Sequence, residues 1–299
     1  MQKITPCLWF DTQAEEAAEF YVSLFENSNV GSVSRYDKAL AEATGQPEGS
    51  AVIVPFELAG QGFLGLNGGP HFDFTPAISL FVHCGAGKEV DDLFAGLSNG
   101  GEILMPLQKY PFSDKYAWIH DRYGLSWQLF LGRPHGQKIA PSLMFVGEQG
   151  GKAEEAVRFY TALFEDAGVD DLTRYGKGEA PDIEGTVKYA SFRLAGQRFT
   201  AMDSNQEHDF NFNEAVSFVV DCKDQKEVDY FWSRFTDGGE EAPCSWLKDR
   251  FGVSWQIVPT ILPEMLRDKD PERARRVMQA MLQMKKIDIA KLQEAYEGK

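Results

Sequence analysis

Two tryptophan-flanked blocks hold most of the side chains in this chain that could do chemistry. WIHDRYGLSWQLF over 118 to 130 and WLKDRFGVSWQIV over 246 to 258 each carry a glutamine, Gln128 and Gln256, whose amide could anchor a ligand carbonyl. His120 in the first block titrates near neutrality when unperturbed and is a candidate acid or base. Its counterpart is Lys248, so such a role would belong to one block only. Cys244 stands two residues before Trp246, and a nearby Lys248 ammonium would lower its thiol pKa and make it a candidate nucleophile. A structural thiol is the plainer reading. His71 and His208 lie in turns beside HFDF and HDFN and read as surface residues. The sequence offers no Ser-His-Asp set and no phosphate-binding Gly loop.

The elements that must position these residues come in duplicate. ITPCLWF at 4 to 10 is echoed by IAPSLMF at 139 to 145, AEEAAEFYVSLFEN by AEEAVRFYTALFED, FELAGQGF by FRLAGQRF, and AISLFVHC by AVSFVVDC. Together with the tryptophan blocks these order the chain as two copies, residues 4 to 131 and 139 to 258. The copies differ chiefly where EILMPLQKYPFSDKYA, 102 to 117, is replaced by the shorter EEAPCS, 240 to 245, which reads as a loop that differs between them. Each copy reads as strand, helix, several strands, then the same order again: two βαβββ units. The first helix, 13 to 26, starts at a capping-box signature, Thr12 with Glu15, and places Ala17, Phe20, Tyr21, Leu24 and Phe25 on one face. Strands fit SVSRY, AVIVPFEL and FLGLN. A second helix near 87 to 98 stops at Gly100-Gly101. After Pro263 a tail of mixed charge opens a helix at Asp270-Pro271-Glu272, and Asp288 caps a last short helix. Val277, Met278, Met281 and Leu282 form its apolar stripe, for packing on the domain pair or on a second chain.

A chain of 299 residues with 43% hydrophobic content is long enough for two domains with their own cores. Cys7, Cys84, Cys222 and Cys244 are far apart and form no zinc pattern, so reduced, mostly buried thiols are expected. A net charge of -15 argues against nucleic acid as a partner, because such binding rests on Lys and Arg neutralising phosphates. No apolar run approaches the roughly 20 residues of a membrane span, and no signal peptide is evident; the cytoplasm is the expected compartment.

The I-x-P-x-L-x-F strand, the A-E-E-A-x-x-F-Y-x-x-L-F helix, F-x-L-x-G-Q-x-F and W-x-x-D-R-[YF]-G-[LV]-S-W-Q resemble the PhnB-like branch of the vicinal oxygen chelate (VOC) superfamily, which includes glyoxalase I, dioxygenases and bleomycin resistance proteins. The resemblance implies an α+β fold: tandem VOC domains at 1–135 and 136–262, each a curved mixed sheet around a cleft, followed by a helical tail at 263–299. Members of the branch often carry the label 3-demethylubiquinone-9 3-methyltransferase. Against that activity, no Gly-rich turn from a strand to a helix of the sort that binds adenosylmethionine is read here.

Catalytic relatives hold a divalent metal on His and Glu side chains in the cleft. The matching positions here read Thr5 and Ala140, then Ala77 and Ser79 with Ala215 and Ser217, then Gln128 and Gln256. Asn67 and Asp203 are the nearest alternatives. No metal and no cofactor is therefore expected. The cleft residues would be Cys7, Trp9, Trp118, His120, Ser126 and Gln128 in the first copy, and Ser142, Met144, Trp246, Lys248, Ser254 and Gln256 in the second. Trp127 and Trp255 should face the core. The leading reading is a protein that binds a small apolar or aromatic oxygen-bearing molecule without a metal, as a monomeric pseudo-dimer or a homodimer. Beside it stand a metal-dependent VOC enzyme, or one using His120 or Cys244, and an interaction module with vestigial clefts.

Overall fold

In the computed structural model, which describes residues 2–36, 41, 45–132, 136–179 and 181–299, the first unit opens on strand β1, Ile4–Phe10, and helix α1, Ala14–Leu24. The helix does not start on a capping box: Gln13 is the cap residue and makes no side-chain cap bond. Asn67 caps it from across the unit, its Oδ1 accepting the Ala14 N–H at 2.8 Å while its Nδ2 donates to the Ala51 carbonyl at 2.9 Å. A long-range cap satisfies the free amides as well as a local one, so Thr12 and Glu15 are not needed there.

The SVSRY strand is two short pieces, β2 at Asn29–Val30 and β3 at Ser34–Arg35, both antiparallel to β4, Ala51–Leu58, which pairs with β5, Gln61–Asn67. The pattern then restarts with β6, Ile78–Cys84, and α2, Gly87–Leu97. Gly100, at φ +80°, ends the turn, and a Cβ on Gly101 would lie 2.0 Å from the His120 carbonyl oxygen. The segment read as a variable loop is instead an ordered ribbon, β7 at Glu102–Tyr110 against β8 at Ser113–His120, followed by β9 at Ser126–Leu131. Three register shifts make it a twisted ribbon at the edge of its sheet.

The second copy supplies β10, Ile139–Phe145; α3, Ala153–Leu163; β11, Gly168–Arg174; β12, Val187–Leu194; and β13, Gln197–Asp203. It continues with β14, Val216–Cys222; α4, Gln225–Phe235; β15, Glu240–Glu241; β16, Trp246–Lys248; and β17, Ser254–Pro259. Gly147, Gly150 and Gly151 lie in the turn that connects β10 to α3. Within this turn the Gly150 N–H donates to the Gly147 carbonyl, and the Asp203 carboxylate accepts the Ala153 N–H at the start of α3.

The chain divides into two compact units, residues 6–216 and residues 1–5 with 217–299. The boundary read at residue 135 lies outside the described residues. In the first unit an eight-stranded sheet runs β11-β12-β13-β10-β6-β9-β8-β7. Its centre is the antiparallel pair β6 and β10, with Ser79 opposite Ser142. This sheet therefore joins the second βαβββ unit of copy one to the first of copy two. Lys138 and Glu89 clamp the junction with an ion pair.

In the other unit β14, β17, β16 and β15 pair in that order. The tail folds onto this unit as α5, Ile261–Leu266; α6, Pro271–Leu282; and α7, Ile289–Glu297. Asp270 and Asp288 cap as their sequence promised, accepting the Glu272 and Ala290 amides at 3.0 Å each. Val277, Leu292, Ile287, Leu262 and Met265 form a core of their own, while Leu282, expected in the stripe, is 43% exposed. The Gln225 side chain holds the 287–289 turn at both ends, and the Cys244 and Ser245 amides donate to the Met284 and Lys285 carbonyls.

Candidate functional site

Helices α2 and α3 pack on one face of the eight-stranded sheet. Trp127 on that face is fully buried, 5.3 Å from Tyr21 of α1 and stacked at 5.7 Å on Phe25, the residue that ends that helix. Strand alternation then turns Ser126 and Gln128 to the opposite, helix-free face. On it the register aligns one polar side chain from every strand: Glu102, His120, Ser126, Ser79, Ser142, Thr200, Ser191 and Asp171. Carboxylates end the row and hydroxyls fill its middle.

The middle of the row is closed off from solvent, with Ser79, Ser126 and Thr200 at 0% exposure and Ser142 at 1%. The Ser79 and Ser126 hydroxyls share a 2.9 Å hydrogen bond, and the Trp118 indole N–H donates to Ser126 at 2.8 Å. By contrast, Ser142 Oγ and Thr200 Oγ1 have no hydrogen-bond partner among the described residues. His120 Nε2 is also buried without one, while Nδ1 lies 3.7 Å from Glu102. Burial lowers the His120 pKa, against a smaller upward pull from Glu102, which favours the neutral ring.

Sequence reasoning assigned each copy its own cleft. The sheet instead brings Trp118, His120, Ser126 and Gln128 of copy one together with Ser142 and Met144 of copy two. Gln128 is 2% exposed, and its Oε1 accepts the Tyr116 hydroxyl at 2.8 Å. Cys7 is buried on β1. Trp9 is half-buried, donates its indole N–H to the Gly69 carbonyl at 2.8 Å and packs edge-on against Phe72, so it is held by the 68–72 turn.

Trp246, Lys248, Ser254 and Gln256 share one face of the C-terminal unit's strands. Cys244 stands at the position of Tyr116 and brings no phenol to occupy Gln256. There Gln256 turns its Nε2 to the Ser217 hydroxyl at 3.0 Å, and the buried Ser254 hydroxyl has no partner among the described residues. Half-buried Cys244 has its pKa raised by burial, the reverse of the lowering expected beside Lys248. That disfavours the thiolate a nucleophile needs. His71 is exposed, and His208 Nε2 is 2.8 Å from Ser204 Oγ.

The residue that the tryptophan blocks turn on is the aspartate, which the sequence reading passed over. Asp121 Oδ1 accepts the Tyr123 and Leu125 amides at 2.8 and 3.1 Å, and Oδ2 accepts the Trp127 indole and the Tyr21 hydroxyl at 2.8 and 2.7 Å. Asp249 repeats this with Phe251, Val253 and Trp255 at 2.9, 3.1 and 2.9 Å. The spacing D-x-x-G-x-S-W, an aspartate closing its own turn, was the available signal.

The metal positions of catalytic relatives do not fit a divalent ion here. Ser79 is hydrogen-bonded to Ser126, the Gln128 oxygen is taken by Tyr116, and Asn67 and Asp203 are occupied at the starts of α1 and α3. Hydroxyl and amide oxygens cannot replace imidazoles and carboxylates, and the one carboxylate among them, Asp203, is already engaged by the Ala153 and Val187 amides. Among the described residues no cluster of three or more His, Cys, Asp or Glu side chains could hold a metal.

The family model described as 3-demethylubiquinone-9 3-methyltransferase matches the chain twice, over residues 2–130 and 137–258. The chain belongs to that family. A PhnB protein from Bacillus cereus is 46% identical and is covered over 100% of its length by 44% of this chain, at a TM-score of 0.41. A protein from Staphylococcus aureus, 34% identical, is covered over 98% of its length by 44% of this chain, at 0.19. A glyoxalase I mutant from Zea mays, 11% identical, aligns over 86% of this chain and 94% of its own at 0.53, a likeness of fold. No curated protein matches. This PhnB-like chain is thus a tandem-duplicated member of that family, and its fold is like that of glyoxalase I over most of its length. Among the described residues, no helix of this PhnB-like chain is long and apolar enough to cross a membrane.

Proposed function

We propose that this PhnB-like protein binds a small apolar or aromatic molecule bearing oxygen on the helix-free face of the eight-stranded sheet, without a metal. The carrying observation is the pair of buried, unpartnered hydroxyls of Ser142 and Thr200 on adjacent strands. A desolvated polar group without a partner costs about 1–3 kcal/mol, a cost that a ligand oxygen between the two hydroxyls would relieve. Phe81 and Trp118 on one side and Met144 and Met202 on the other give the apolar flanks.

The test is a thermal-shift panel of aromatic carbonyls, phenols and carboxylates, run beside elemental analysis of the purified protein. Binding that raises Tm in the wild type and is lost in Ser142→Ala/Thr200→Val supports the proposal. A stoichiometric divalent metal, or binding indifferent to both substitutions, contradicts it.

A further inference from the structure

The polar row has a direction. The Ser142 and Thr200 hydroxyls stand on strands about 4.8 Å apart, so one oxygen between them lies within hydrogen-bond reach of both and can accept from both. At the other end, three strand steps or roughly 14 Å away, His120 presents a different group. With its proton on Nδ1, toward Glu102, the neutral ring leaves Nε2 as a buried acceptor. Between these ends, Ser79 and Ser126 satisfy each other and Trp118, and so ask nothing of a ligand. Phe81, paired beside Gln128, and Trp118 lie one residue pair further along and offer aromatic surface over that middle stretch.

The geometry points to an elongated aromatic hydroxy acid or hydroxy ketone as the ligand class, lying across the strands with a carbonyl or carboxylate oxygen on Ser142 and Thr200 and a hydroxyl donating to His120 Nε2. This rests on the ligand-binding reading above and adds the ligand's polarity and length. His120 is then the residue that selects for the distal hydroxyl, a role with no equivalent at Lys248 in the second copy, since an ammonium cannot accept a hydrogen bond. Selection of this type is steep, because a site built to pair a hydroxyl is left with an unpaired buried group by the analogue that lacks it.

Three probes separate the terms: a hydroxynaphthoic acid with its groups at opposite ends of the ring pair, the naphthoic acid without the hydroxyl, and the naphthol without the carboxyl. Calorimetric titration of the full chain should give the hydroxynaphthoic acid at least a tenfold tighter Kd than either. His120→Phe should erase its advantage over naphthoic acid, and His120→Gln, which restores an acceptor, should recover part of it. Equal binding of all three probes, or an advantage that survives His120→Phe, overturns the assignment. If none of the three binds but another aromatic of the panel does, the assigned polarity is wrong while the ligand-binding reading stands. If nothing in the panel binds, that reading fails and this one with it.

Discussion

Asp121 shows how a single carboxylate can hold a motif together. It is 2% exposed and accepts four hydrogen bonds, from two turn amides, an indole and a phenol. Burial raises its pKa, and those four donors oppose the rise. Asp121→Ala would strand the Tyr21 hydroxyl and the Trp127 indole in the core, and chemical denaturation should register a loss of roughly 3 kcal/mol or more. A loss under 1 kcal/mol would mean that the staple is dispensable. Asp221 behaves differently. Burial pushes it up to about 6 despite the Lys3 ammonium, so the native state holds its proton more tightly than the unfolded chain, where Asp titrates near pH 4. Its stabilising contribution is complete below pH ~4 and is lost as pH rises through about 6. Asp221→Asn should match the wild type near pH 4 and exceed it at pH 7.5 by about 1 kcal/mol, a figure reduced because the half-buried group is screened by solvent. Parallel stability curves would contradict this. At this scale the sequence showed which residues recur but not why. The equivalence of Asn67 with Asp203 was visible, and their service as helix caps was not, because a cap delivered from the end of another strand leaves no local spacing to read.

Elements were legible wherever periodicity or end signals were local. Helices α1 and α2, the Asp270 and Asp288 caps and the Gly100 stop are all where their sequence places them. The ribbon of β7 and β8 looks like a loop in the sequence because the second copy shortens it to EEAPCS, and a length difference between copies does not tell a loop from an extended edge hairpin; an edge strand also tolerates Pro106. Its tip is held by aromatic contacts, Phe112 stacked on Tyr110 at 5.6 Å and edge-on to Tyr116 at 5.0 Å. Gly101 is where the helix exit meets this ribbon. Gly101→Ala would drive a methyl into the His120 carbonyl, with backbone rather than a flexible side chain in the way. We expect a loss of about 2 kcal/mol or more in stability, accompanied by altered ligand binding through the displaced His120. Unchanged stability would place the β8 backbone further from residue 101 than the structure has it.

For the whole molecule, the duplication was plain in the sequence, but which halves associate was not. Self-similarity reports that two units are alike, whereas sheet pairing depends on which edges meet, and β6 meets β10. A cut in the 132–138 connection followed by separate expression of the two copies should therefore expose the β6 and β10 edges and yield aggregated or self-associated products. Co-expression should restore a one-to-one complex by size-exclusion chromatography. Two well-behaved monomers would refute cross-copy pairing.

The ligand face depends on that pairing, since Ser142 and Thr200 come from copy two while Trp118 and His120 come from copy one. The Thr200 hydroxyl is a liability in the unliganded fold, and Thr200→Val, close in shape, should raise apo stability by roughly 1 kcal/mol. The most direct measurement is a calorimetric titration of the strongest panel ligand into wild type and Ser142→Ala/Thr200→Val, with the unliganded Tm of each recorded. The account predicts at least a tenfold weaker Kd in the double variant with an unchanged or higher Tm. An unchanged Kd at equal Tm would contradict it.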